Sequence, residues 1–211
     1  MIIVIDYGSG NLRSVAKALE TTGATVRITG QPQDLAHASH LVLPGVGAFA
    51  DCRRNLETAD LIPPILDHVR AGKPFLGICV GMQLLFSEGH EFGIHPGLDL
   101  IRGQVVRFSN RMPDPNQTGS ALKVPHMGWN RLRLTGSHPL WNRIADGTHG
   151  YFVHSYHVQA DDPHTVAAWS DHGIAFPAAI AKENLFGTQF HPEKSQEAGL
   201  QLLRNFVEWR P

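Results

Sequence analysis

The feature that most restricts the fold is a rhythm in the first part of the chain, where short apolar runs alternate with helix-spaced segments. Met1–Ile5 contains no polar side chain, the pattern of a strand buried on both faces. Asp6-Tyr7-Gly8-Ser9-Gly10-Asn11 is turn chemistry, and Leu12, Val15 and Leu19 then recur at helical spacing before Gly23. Thr25–Ile28 and Leu41–Leu43 read as further strands, the second ended by Pro44-Gly45. Leu61, Ile62, Ile65, Leu66 and Val69 share one helical face, with Pro63 and Pro64 tolerable only near its first turn. Gly72-Lys73-Pro74 closes that helix, and Phe75–Ile78 is the next buried strand. Strand–helix alternation of this kind predicts a parallel sheet with right-handed crossovers.

The second half changes character. Gln104–Phe108, Asn130–Leu134, Tyr151–Val158 and Val166–Trp169 read as antiparallel strands. Ala178–Lys182 and Leu185–Gln189 flank Glu183-Asn184, a hairpin turn, and Leu200, Leu203 and Val207 mark a final helix. Ser109–Val124, with Pro113, Pro115, Asn116 and Gly119, reads as a surface loop and not a linker. The expectation is one α/β domain over residues 1–211. It combines an open, mostly parallel sheet, helices on both faces and an antiparallel extension.

Charge narrows the function classes. Eighteen Lys and Arg against nineteen Asp and Glu give a formal net of −1, so the basic footprint of nucleic-acid or acidic-membrane binding is missing. No run approaches the roughly 20 apolar residues of a membrane span, and the opening MIIVID lacks a basic signal-peptide region. The chain is expected to be cytoplasmic, with its two cysteines reduced. Thirteen histidines invite a metal reading, yet there is no His-Glu-x-x-His and no Cys-x-x-Cys. His37/His40 and His90/His95 lack a carboxylate pattern, and His154 and His157, on one expected strand, would point to opposite faces. Gly8-Ser9-Gly10 has Arg13 where a dinucleotide site needs a third glycine. Neither a metal nor another cofactor is expected.

The most informative segment is Gly77-Ile78-Cys79-Val80-Gly81, between a buried strand and an expected helix opening over Met82–Phe86. This is the strand–turn–helix setting of a nucleophile elbow with Cys in place of Ser. Its glycines leave room for strained backbone, and a helix start stabilises a thiolate. The Val80 N–H would point at the same spot and could donate to an oxyanion. A thiolate needs a base and the base an orienter, which His191 and Glu193 in Gln189-Phe190-His191-Pro192-Glu193 could supply. Pro44-Gly45-Val46-Gly47, again after a buried strand, could turn N–H groups toward an oxyanion. Taken singly these segments also fit a buried thiol, a polar turn and a plain strand–helix turn. Cys52 has no such context.

Together, and in this order across the whole chain, the three segments resemble the class I (triad) glutamine amidotransferases. The resemblance implies Cys79 as nucleophile, His191 as base, Glu193 as its orienter, and Gly47 and Val80 as oxyanion donors. It also implies that Gln83, Glu91, Ser155 and Tyr156 hold L-glutamine. Four longer strings, Asp6–Asn11, Pro44–Gly47, Val124–Asn130 and Tyr151–Tyr156, are similar to one branch of the family. That branch comprises the glutaminase subunits of imidazole glycerol phosphate synthases. The one departure is Val80, where Leu is usual and only the backbone matters. The resemblance implies glutamine hydrolysis through a γ-glutamyl thioester. The ammonia would pass to a (β/α)8 barrel cyclase subunit of a heterodimer, for imidazole glycerol phosphate and AICAR formation in L-histidine biosynthesis. Asn11, Pro125, His126, Met127, Gly128, Trp129 and Lys194 would face that partner. The alternative is a paralogous subunit that feeds ammonia to another synthase, as in sugar amination.

Overall fold

A computed structural model describes residues 1–113 and 120–211. The loop expected over Ser109–Val124 lies partly outside them, Pro115, Asn116 and Gly119 included. The first strands are β1 (Ile2–Ile5), β2 (Val26–Thr29), β3 (His40–Gly45) and β4 (Phe75–Cys79). An excursion then contributes β5 (Phe86–Gly89), β6 (His95–Pro96) and β7 (Ile101–Arg107). The middle of the chain forms β8 (His126–Arg131), β9 (Arg133–Leu134), β10 (His149–His154) and β11 (Tyr156–Ala160). Last come β12 (Val166–Asp171), β13 (Ala175–Lys182) and β14 (Leu185–Thr188). The helices are α1 (Leu12–Glu20), α2 (Pro32–Leu35), α3 (Phe49–Thr58), α4 (Ile62–Arg70), α5 (Val80–Gln83) and α6 (Gln196–Glu208).

Eight strands form the central sheet in the order β2-β1-β3-β4-β14-β13-β12-β9. Pairing is parallel from β2 to β14 and antiparallel from there to β9. β1, β3 and β4 are buried at every residue, as a sheet covered on both faces requires. α1 packs against α6, and α2 against α4. The mostly parallel sheet with an antiparallel extension matches the expected class. Two smaller sheets accompany it, the antiparallel β10-β8 and the mixed β11-β7-β5-β6, in which β5 and β7 run parallel. Among the described residues no helix is long and apolar enough to cross a membrane.

Several boundaries differ from the sequence reading. Met82–Phe86 does not open a long helix; α5 stops at Gln83 and the chain bends into β5. Leu84, Leu85 and Phe86 are all fully buried, and a continuous apolar run cannot be the stripe of an amphipathic helix. Asn130–Leu134 is two strands in different sheets, β8 beside β10 and β9 beside β12. Tyr151–Val158 likewise breaks at Ser155, whose carbonyl accepts from the Phe108 N–H at 3.0 Å. The break resets the side-chain alternation. His154 and His157 therefore do not point to opposite faces; both pack on the Phe108 ring, at centroid distances of 5.3 and 4.6 Å. α3 is a helix beyond those expected, with Phe49, Cys52 and Leu56 as its buried stripe at helical spacing. In α6 the buried face is Gly199, Leu202, Leu203 and Phe206, leaving Leu200 and Val207 half-buried.

Candidate active site

β4 delivers Cys79 into a sharp turn at φ 56° and ψ −112°, a region an L-residue occupies at a cost of about 1–3 kcal/mol. The turn closes because its neighbours lack side chains. A Cβ on Gly77 would stand 2.7 Å from the Gly81 carbonyl oxygen, and one on Gly81 would collide with the Leu43 carbonyl oxygen. The Pro44–Gly47 turn lies directly against this elbow, since a Cβ on Gly45 would come within 2.8 Å of the Gly81 nitrogen. Ser9, from the first βα turn, holds Val46 by both backbone groups. Its hydroxyl donates to the Val46 carbonyl at 2.5 Å and accepts from the Val46 N–H at 3.2 Å. Tyr7 donates to the Pro44 carbonyl at 2.8 Å.

The parallel register of β14 on β4, Gly187 opposite Gly77 and Thr188 opposite Ile78, carries the residues after β14 to the nucleophile. His191 is clasped to β10. Its N–H donates to the Tyr151 carbonyl, while the Ser195 hydroxyl bridges the His191 carbonyl at 2.6 Å and the Tyr151 N–H at 3.0 Å. A one-turn segment over Pro192–Lys194 brings Glu193 back beneath the imidazole, and Nδ1–H donates to Oε1 at 2.9 Å with both side chains buried. That bond fixes the tautomer and leaves Nε2 to the substrate side. Among the described residues neither His191 Nε2 nor Glu193 Oε2 has a hydrogen-bond partner. Burial opposes a charge on this ring, but the neighbouring Cys79 thiol and the Glu193 carboxylate outweigh it and push the His191 pKa up to about 10. Such a ring is itself protonated at neutral pH.

A cavity of about 430 Å³ brings together Cys79, His191, Gly47, Val80, Gln83, Glu91, Ser155 and Tyr156. Glu193 stands behind His191 and does not line it. The Glu91 carboxylate is anchored by the N–H of Phe49, 2.7 Å from Oε2. Pro125 is exposed and also lines the edge of this cavity. His126 is buried, so its side chain departs from the expected partner-facing string. Met127 and Trp129 are exposed, at 63% and 47%. Trp129 packs edge-on against Tyr151, and the Lys194 ammonium lies over the Tyr151 ring, 5.9 Å from its centre. Asn11 is half-buried just before α1 and does not cap it with its side chain. Among the described residues no group of three or more His, Cys, Asp or Glu could hold a metal ion.

Sequence reasoning missed Gln189, Ser195 and Ser9. Gln189 is fully buried and aims its amide at the Cys79 sulfur, 3.7 Å away. It sits in the same string as His191, but its partners are 106 and 110 residues distant in sequence.

Residues 3–209 match the glutamine amidotransferase class-I family. Subunit HisH of imidazole glycerol phosphate synthase from Syntrophotalea carbinolica is 52% identical over 206 residues, covering 98% of each chain. The Geobacter sulfurreducens subunit HisH is 50% identical over 209 residues, 99% of each. Among solved structures, one described as glutamine amidotransferase superposes with a TM-score of 0.73 at 20% identity, over 98% of this chain and 97% of that one. PurLQS from Thermotoga maritima gives a TM-score of 0.74 at 19% identity, over 98% and 96%. At that identity these two speak for the fold alone. The match across nearly the whole chain and the identity to the HisH subunits together decide the family: this chain is a class-I glutamine amidotransferase of the HisH group.

Proposed function

We propose that residues 1–211 act as a single glutaminase domain, with Cys79 as nucleophile, His191 as its proton carrier and Glu193 as the group that orients His191. The observation that carries this reading is the pairing of a strained Cys79 with a His191 whose Nδ1 is bonded to Glu193 and whose Nε2 is free on the cavity side. The Cys79 sulfur attacks the carboxamide carbon of L-glutamine, and the carbonyl electrons move onto oxygen. Gly47 and Val80 line the cavity where backbone N–H groups would receive that oxyanion. His191 Nε2–H protonates the leaving nitrogen, the C–N bond breaks, and ammonia departs from a γ-glutamyl thioester. Water then attacks the thioester with His191 as base, which releases glutamate and returns the thiolate.

Glu91 gives the cavity a negative charge suited to the α-ammonium group of glutamine. Both N–H groups of Gln83 are already used within the protein, so its oxygen remains for the substrate. Ser155 and Tyr156 complete the substrate wall. The relatives named as subunits of imidazole glycerol phosphate synthase support transfer of the ammonia to a (β/α)8 barrel cyclase partner, in the cytoplasm and in histidine biosynthesis. Asn11, Pro125, Met127, Trp129 and Lys194 are the residues we assign to that partner; an exposed Met and Trp suit an interface anchor. The near-neutral charge fits a phosphorylated acceptor bound elsewhere.

The test is labelling with a glutamine analogue that alkylates nucleophilic cysteines, followed by peptide mass analysis. Label on Cys79, none on Cys52, and glutamine hydrolysis abolished in Cys79→Ala are expected. Label on Cys52, or hydrolysis surviving Cys79→Ala, overturns the assignment.

A further inference from the structure

One line of buried polar side chains ends on the nucleophile at Gln189, a residue that takes no part in the reaction as written above. Gln189 Nε2 stands 3.7 Å from the Cys79 sulfur. An amide can present either end, and its oxygen end would repel a thiolate. The other contacts decide between the two. Gln189 Oε1 accepts from Gln83 Nε2 at 3.0 Å, and that same nitrogen donates to the Tyr156 carbonyl at 3.1 Å. A backbone carbonyl only accepts, so Gln83 cannot be reversed, and neither can Gln189.

The Tyr156 carbonyl orders a second branch in the same way. It accepts from His154 Nδ1 at 2.8 Å, which leaves His154 Nε2 to accept from His126 Nδ1 at 2.9 Å. His126 Nε2 then accepts from Asn130 Nδ2 at 3.1 Å. Burial lowers the pKa of both histidines, His126 to about 4, so each is a single neutral tautomer. One acceptor thus fixes the direction of every bond on either side of it, and β8, which carries the exposed Met127 and Trp129, is tied to the floor of the cavity.

We infer that Gln189 is a further catalytic residue, whose amide N–H donates to the Cys79 sulfur in a direction set by Gln83 and the Tyr156 carbonyl. The inference rests on Cys79 being the nucleophile. A hydrogen bond to an ionised group is worth more than one to a neutral group, so this donor favours the charged, attacking sulfur.

The test uses the full chain with Gln189→Met, which keeps the approximate length and removes the donor. Iodoacetamide, which carries no glutamine group, should alkylate Cys79 about tenfold more slowly at pH 7. The kcat for glutamine hydrolysis should fall by a similar factor while KM moves less than about twofold. A purely packing role predicts the opposite sign, because a loosened cavity admits the reagent faster. Cys52, buried outside this line of side chains, reports folding in the same sample by remaining slow to label. If Cys52 labels quickly, Gln189→Glu, matched in shape and unable to donate when ionised, is read in the same way. Equal or faster Cys79 alkylation with Cys52 protected overturns the role of Gln189 and leaves Cys79 as nucleophile. Glutamine hydrolysis surviving Cys79→Ala would instead overturn the reading beneath it.

Discussion

Acidification from pH 7 to 4.5 is the perturbation to which the buried histidines respond most directly. His40, His68 and His126 are each at most 5% exposed, and burial lowers each pKa from 6.5 to about 4. All three are neutral in the folded chain, whereas the unfolded chain protonates them below pH 6.5. Their contribution to stability is therefore complete above about pH 6.5 and is lost as the pH falls from there through about 4. Each such shift corresponds to about 3 kcal/mol, so the three together approach about 10 kcal/mol, comparable to the whole stability of a domain. Near pH 5 unfolding should take up nearly one proton per such histidine, so these three alone contribute a slope of about 3–4 kcal/mol per pH unit, to which His138, His154 and His157, lowered in the same direction, add. His191 adds nothing to this acid limb. Its pKa is raised, so it is charged in both states below 6.5, and its contribution is lost only as pH rises through about 10. Urea unfolding followed by circular dichroism at pH 7, 6, 5.5 and 5 measures the slope. His68→Gln keeps a donor for the Pro74 carbonyl, to which His68 Nε2 lies at 3.0 Å, and should reduce the slope by about 1 kcal/mol per pH unit, the share of one proton. A flat stability between pH 6.5 and 5, or an unchanged slope in His68→Gln, would refute the reasoning.

Two substitutions probe the active site. Glu193→Gln preserves shape but removes the charge that orients His191, so kcat should fall by roughly 10²–10⁴ with the melting temperature nearly unchanged; an unaltered kcat in steady-state assays would contradict the orienting role. Gly81→Ala sets a methyl group against the Leu43 carbonyl, which cannot move without disturbing β3, and should cost about 3 kcal/mol in thermal denaturation; a loss below about 0.5 kcal/mol would show that the elbow is not closely packed.

The parts legible in the sequence were those whose cause is local. Unbroken apolar runs placed β1, β3 and β4, and period-3.6 patterns placed α1, α4 and α6, though α6 buries a neighbouring stripe. The glycines beside Cys79 announced a turn with no room for a Cβ. The thirteen histidines show where counting misleads. They invite a metal reading, yet His126, His154 and His157 are packed around Phe108, Phe152 and Phe176 as neutral core residues.

What the sequence by itself determined is the rhythm of strand and helix, the elbow, and the short span from His191 to Glu193 that one turn can close. Only the tertiary structure decided that Ser9 holds Val46, that a break at Ser155 turns His154 and His157 to the same ring, and that Gln189 meets both Gln83 and Cys79. Each of these depends on which strand lies beside which. A local pattern specifies what a segment buries but not against whom, because apolar burial is non-directional and the partners are brought together only when β14 pairs with β4.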